Sequence, residues 1–218
     1  MTQKQDIFDL IGGKVRFYRG IYNPTADAVW LAAFAPSAKT VLDVGVGTGG
    51  VSICYMSHHP SARVTGIDIS TDMLTEATRN AELNDHKLEL INADIINMRM
   101  DRTFDLVMTN PPYFKGTPAK HNAHHNADII KWTKKCIARV KPRGYFCTIV
   151  DAGAVADVIF AMNQTFGDIT IFPLFGAKNT AERVLIRGRA GVRGGSIVYP
   201  GQKMNDPAIL RAGLTIGV

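Results

Sequence analysis

Between Thr40 and Val150 short apolar runs alternate with stretches of helical periodicity, and this alternation constrains the fold more than any other feature of the chain. Strands separated by helices pair through crossovers, so the pattern predicts a parallel sheet with helices on both faces. The fold class expected is α/β. Strands are predicted at Thr40–Val44, Arg63–Ile67, Leu88–Asn92, Phe104–Met108 and Gly144–Val150, with later ones near Ile169–Phe172 and Glu182–Arg187. Helices are predicted at Ala26–Phe34, Gly50–His58, Thr71–Asn84, Asp128–Val140 and Ala154–Gln164. Ser70 or Thr71 is placed to cap the third helix, and Asp72 adds negative charge to its first turn.

At 218 residues the chain is expected to form one domain. Residues 1–38 are read as an arm or lid, 39–187 as the core and 188–218 as a tail, with Lys115–Asn126 and Gly188–Pro207 as substrate-facing loops. The formal charge of +6 is compatible with a polyanionic partner. Cys54, Cys136 and Cys147 are odd in number, lie in or beside apolar segments and form no C-x-x-C pair, which argues against disulfides or a zinc site. Met1 to Gly13 lacks a signal pattern and no apolar run reaches membrane-spanning length, so a cytoplasmic location is expected.

The stretch Asp43-Val44-Gly45-Val46-Gly47-Thr48-Gly49-Gly50 follows the first core strand and opens a helix, where glycines permit a tight turn against a ligand. Gly45, Gly47 and Gly50 alone also satisfy the dinucleotide pattern G-x-G-x-x-G. The acidic residues bear on the choice. Asp43 precedes the glycines, where a carboxylate favours the cationic amino-acid portion of S-adenosylmethionine and repels a pyrophosphate. Asp68, followed by Ile69, ends the second strand and is placed to accept two ribose hydroxyls, as either ligand requires. Asp94, after the third strand and beside Ala93, is placed to accept from an adenine amino group.

The fourth strand runs into Thr109-Asn110-Pro111-Pro112-Tyr113-Phe114. A planar amine conjugated to a ring or carbonyl is a poor nucleophile until two acceptors hold its hydrogens. The Asn110 side-chain oxygen and the Pro111 carbonyl are suited to this, Pro112 stiffens the turn, and Tyr113 offers a face for stacking. Asn-Pro and Pro-Pro are also ordinary loop dipeptides. The position decides: the glycine turn, the acids and this tetrapeptide all fall at the carboxyl ends of strands, where open α/β sheets bind ligands.

On these residues, and on Tyr22–Phe34, Val41–Gly50, Ala62–Asp68, Phe104–Phe114 and Lys141–Gly144, the chain resembles class I S-adenosylmethionine-dependent methyltransferases, most closely the bacterial tRNA adenine-N6 methyltransferases. The resemblance implies a seven-stranded, mainly parallel sheet. It also implies Asn110, Pro111, Pro112 and Tyr113 as catalytic residues, and Asp43, Gly45, Gly47, Gly49, Asp68, Ile69, Asp94 and Asn110 against the cofactor, S-adenosyl-L-methionine. Asp27 maps onto a family aspartate that helps close the cofactor pocket. RNA, with tRNA foremost, is the implied partner. Guanine N2 of ribosomal RNA, a release-factor glutamine amide and a non-catalytic cofactor-binding role are the competing readings.

Phe114, Lys115, Arg183, Arg187 and Arg189 are candidates for the substrate, the arginines, with Arg193, as phosphate contacts. Lys131, Lys134, Lys135, Arg139, Lys141 and Arg143 read as a solvated helix face. His121, His124 and His125 lie close in sequence, but no Cys or carboxylate completes a ligand set, so no metal is expected.

Overall fold

The computed structural model describes residues 6–112 and 129–218. In chain order the elements are β1 (Ile7–Leu10), β2 (Val15–Tyr18), α1 (Ala26–Phe34), β3 (Thr40–Val44), α2 (Gly50–His58), β4 (Arg63–Asp68), α3 (Thr71–Leu83), β5 (Leu88–Asn92) and β6 (Phe104–Thr109). They continue as α4 (Ile129–Ile137), β7 (Val140–Asp151), α5 (Val155–Met162), β8 (Phe166–Phe175), β9 (Ala181–Ala190), β10 (Ser196–Val198), β11 (Gln202–Lys203) and α6 (Pro207–Leu210). Ser70 is the cap of α3, its hydroxyl accepting from the Met73 amide at 3.3 Å.

The main sheet has the order β5-β4-β3-β6-β7-β9-β8-β10, with β11 also paired to β8. All its pairings are parallel except those of β9, which is antiparallel to both β7 and β8. Seven of these strands are the ones the sequence predicts. The other two correct the expectation of a seven-stranded sheet: β10 and β11, of three and two residues, lay the tail along the outer edge of β8 and satisfy backbone groups that an edge strand leaves bare. The segment expected as a loop at Gly188–Pro207 therefore holds the end of β9 and both added strands. The other expected loop, Lys115–Asn126, lies outside the described residues.

The first 38 residues hold β1, β2 and α1. Antiparallel β1 and β2 are held to α3 by the Tyr18 amide donating to Asn80 Oδ1 at 3.0 Å and the Arg16 amide donating to Asn84 Oδ1 at 2.8 Å. Helix α1 is apolar on nearly every side because it is covered on nearly every side: Asp27 to Phe34 are all buried. The Trp30 ring is fully enclosed and its Nε1 donates to the Met204 carbonyl at 2.9 Å. Trp30→Ala is expected to cost about 3–5 kcal/mol, the range for deleting a buried aromatic side chain, read as a drop in the unfolding midpoint in denaturant.

Both apolar clusters lie against the sheet, one holding α1, α2 and tail residues, the other α4 and α5. Among the described residues no helix is long and apolar enough to cross a membrane.

Candidate active site

The carboxyl ends of β3, β4 and β6 meet side by side, because Val44 pairs with both Ile67 and Thr109 in the parallel ladders. Beyond Val44 the chain turns through Gly45 and Gly47, at φ 73° and 53°, which favour residues without a Cβ. The Gly45 and Val46 amides donate to the Ile67 carbonyl at 2.8 and 3.0 Å, and the Gly47 amide to Asp68 Oδ2 at 2.9 Å. A Cβ at Gly47 would meet nothing within 4 Å, so the outer side of the turn is open to a ligand. Gly49 begins α2 as its left-handed cap.

Asp43 is buried beneath this turn. Its Oδ2 accepts from the Ser52 hydroxyl at 2.7 Å, while its Oδ1 is buried without a hydrogen-bond partner among the described residues. Burial pushes its carboxyl up to about 6, against the Ser52 hydrogen bond, which pulls it down. A buried carboxylate oxygen without a donor is costly, and a ligand carrying N–H groups would relieve it.

Asp68 accepts from the Ser70 amide at 2.9 Å through Oδ1 and from Gly47 through Oδ2, leaving lone pairs on both oxygens for hydroxyl donors. Ile69 beside it is 54% exposed, an uncovered apolar surface at the site. Asp94 accepts from the Ile96 amide at 2.9 Å and from Asn97 Nδ2 at 2.6 Å, and the Ala93 amide donates to the Asp68 carbonyl at 3.0 Å. The three acids thus share one end of the sheet. The orphaned oxygen of Asp43 and the open face of Gly47 both fit a cationic amino-acid ligand lying on the turn.

Asn110 follows the last residue of β6, partly exposed, and makes no side-chain hydrogen bond among the described residues. Pro111 is buried and Pro112 partly so. Tyr113, Phe114, Lys115 and the three clustered histidines lie outside the described residues.

Of the arginines expected to face phosphate, Arg183, Arg187 and Arg189 lie along β9 and hold partners within the chain, and Arg193 follows β9. Arg183 donates from Nε to Asp27 Oδ2 and from Nη1 to Asp151 Oδ2, both at 3.2 Å, which fixes the first turn of α1 to the end of β7. Arg187 donates to the Phe34 and Val218 carbonyls and stacks over Phe34 and Tyr145. Arg189 lies over Tyr145 and pairs with Asp168 at 3.7 Å, away from the ligand end of the sheet. Charge along a strand reads the same whether a guanidinium faces solvent or an acid from a distant element, which is why sequence alone suggests surface contacts.

Three residues that the sequence does not single out complete the site. Ser52 bonds Asp43, and the signal available was a hydroxyl in the first turn of the helix after the glycines. Thr109 donates its hydroxyl to the Val44 carbonyl at 2.8 Å, and Trp132 of α4 donates Nε1–H to that same hydroxyl at 3.1 Å. A lone Trp in an amphipathic helix carries no signal of such a role.

The chain belongs to the family described as "Methyltransferase small domain", whose model matches residues 25–173. It is similar to a "tRNA1(Val) (adenine(37)-N6)-methyltransferase" of Phocaeicola vulgatus, 30% identical over 149 residues that make up 63% of either chain. Across such curated relatives the chain spans about three fifths of their length, 59–63%. Its fold is similar to that of a predicted O-methyltransferase from Agrobacterium tumefaciens, with a TM-score of 0.69 and 23% identity, covering 82% of this chain and 88% of that one. It is also similar to the N-methyltransferase NodS of Bradyrhizobium japonicum, solved with S-adenosyl-L-homocysteine, at a TM-score of 0.57 and 14% identity, covering 77% and 84%. The fold is that of class I methyltransferases, and S-adenosyl-L-methionine is the cofactor expected of it.

Proposed function

We propose that the chain transfers a methyl group from S-adenosyl-L-methionine to the exocyclic N6 amine of adenine in RNA, with tRNA as the substrate. The observation that carries this reading is the placement of Asn110, its side chain unbonded among the described residues, directly after a strand whose last residue pairs with the residue before the glycine turn. The adenine specificity draws on the similarity to the P. vulgatus tRNA adenine-N6 methyltransferase.

The cofactor, when bound, supplies an electrophilic sulfonium methyl. Asp43 receives its ammonium group, Asp68 its ribose hydroxyls, and Asp94 its adenine amine, with Ile69 against the ring and Gly45, Gly47 and Gly49 allowing close approach. Asn110 Oδ1 and the Pro111 carbonyl accept the hydrogens of the substrate amine and hold its nitrogen towards the methyl, stabilising positive charge as it develops. Pro112 stiffens the turn, and Tyr113 stacks on the base after it leaves its own stack. Phe114 is assigned to brace the base, and Lys115 to contact the substrate. No covalent enzyme intermediate is required.

The test is incubation with isotopically labelled S-adenosylmethionine and separate tRNA, ribosomal RNA and protein fractions from a strain lacking the gene, followed by mass spectrometry of the digests. Label in N6-methyladenosine from tRNA is the expected result. Label in N2-methylguanosine or methylglutamine would keep the mechanism and replace the substrate. Cofactor binding without label in any fraction would favour a non-catalytic binding protein.

A further inference from the structure

We infer that Trp132 is a positioning residue that locks the methyl-donor turn to the amine clamp through Thr109. This inference rests on the proposed transfer to an amine held by Asn110.

The geometry is a short relay. Trp132 Nε1–H donates to Thr109 Oγ1 at 3.1 Å, and the Thr109 hydroxyl donates in turn to the Val44 carbonyl at 2.8 Å. Val44 is the residue before Gly45, and Thr109 is the residue before Asn110. One buried hydroxyl, on a residue 1% exposed, therefore ties the start of the cofactor turn to the start of the clamp, and the indole fixes which way that hydroxyl points. The same indole bears on the turn by packing: a Cβ added at Gly45 would lie 3.3 Å from Trp132 Cζ2, so the ring sits against the Gly45 backbone. Trp132 thus touches both parts whose separation sets the distance between methyl and amine.

Methyl transfer is steep in that distance, and a displacement on the order of 1 Å costs about 10²-fold in rate. Losing the relay should lower kcat while leaving the pocket for the cofactor formed. Trp132→Phe keeps a ring beside Gly45 and removes the N–H. Thr109→Val removes the shared hydroxyl, and Thr109→Ser restores it.

The experiment measures kcat and the KM for S-adenosylmethionine in the wild type, Trp132→Phe, Thr109→Val, Thr109→Ser and the Trp132→Phe/Thr109→Val double variant. Cofactor affinity is measured by calorimetry alongside. Expected are a fall in kcat of about tenfold or more in Trp132→Phe with KM for the cofactor within about twofold, recovery in Thr109→Ser relative to Thr109→Val, and a double variant no slower than Thr109→Val, since both substitutions break one relay. An unchanged kcat in Trp132→Phe, or multiplicative losses in the double variant, would overturn the inference. So would a loss confined to cofactor affinity, which would reduce Trp132 to packing beneath the turn. The thermal midpoint of each variant identifies any that is unfolded, and the Thr109 pair then decides. A wild type that binds cofactor and methylates no RNA would refute the proposed function instead, a result distinct from any of these.

Emission provides a second readout. The chain has two tryptophans, and Trp30 is enclosed. In a Trp30→Phe background, cofactor binding should shift the emission of Trp132; a spectrum unmoved at saturating cofactor would also count against contact between the indole and the loaded turn.

Discussion

Asn110→Ala should lower methyl transfer by orders of magnitude while leaving affinity for S-adenosylmethionine within about twofold of the wild type. Removal of one preorganised acceptor at a centre that gains charge in the transition state costs about 10²–10³-fold in kcat. The cofactor's anchors are elsewhere, on Asp43, Asp68 and Asp94. The Asn110 side chain makes no hydrogen bond among the described residues, so its removal leaves none of them with an unsatisfied partner and the thermal midpoint should stay near the wild-type value. Single-turnover kinetics with preloaded cofactor separate chemistry from binding. A parallel fall in cofactor affinity and transfer would assign Asn110 to the cofactor pocket and remove it from the amine.

The second large effect is one of pH. Burial lifts the Asp43 carboxyl from 3.8 to about 6, so in the cofactor-free protein it takes up a proton in mildly acid solution. A carboxyl group whose native value lies above its unfolded one gives stability that is fully present below about 3.8 and is lost as pH rises through about 6. The loss amounts to about 3 kcal/mol at neutral pH, since each pH unit between those two values is worth about 1.4 kcal/mol. Cofactor affinity runs the other way, because the ammonium group requires the ionised carboxylate. Calorimetric titrations from about pH 8 to about pH 5 should show affinity holding above about pH 6 and weakening towards tenfold per unit below it. In Asp43→Ala the affinity should be poor throughout and the acid limb should vanish. An acid limb that survives this substitution would place the titrating group elsewhere.

How far the sequence reveals this arrangement depends on whether a feature is local. The strands β3, β4, β5 and β6 are readable as apolar runs with turn residues at their ends, and Ser70 is readable as a cap, because each is decided by residues a few positions apart. The three acids and Asn110 are readable for the same reason: each lies within two residues of the end of a strand. The added strands β10 and β11 are not. Ser196–Val198 is exposed and three residues long, and it is a strand only because β8 offers it an edge. Nor can Arg183 be told from a phosphate contact, since Asp27 lies 156 residues away. Trp132 stays hidden for that reason as well. Its partner Thr109 belongs to another element, and the hydroxyl they share is defined only once β3 and β6 pair.

The tail that runs along β8 bears on the order in which the protein is made. Helix α1 leaves the ribosome well before the groups that cover it: the Met204 carbonyl takes the Trp30 N–H, the Ile216 amide donates to the Ala33 carbonyl, and Ile209, Leu210 and Ile216 pack on the same cluster. Until residue 216 has cleared the exit tunnel, an almost wholly apolar helix has no complete cover. Nascent chains stalled between α5 and β10 should therefore recruit hydrophobic-binding chaperones, and that hold should release once α6 and the residues after it have docked.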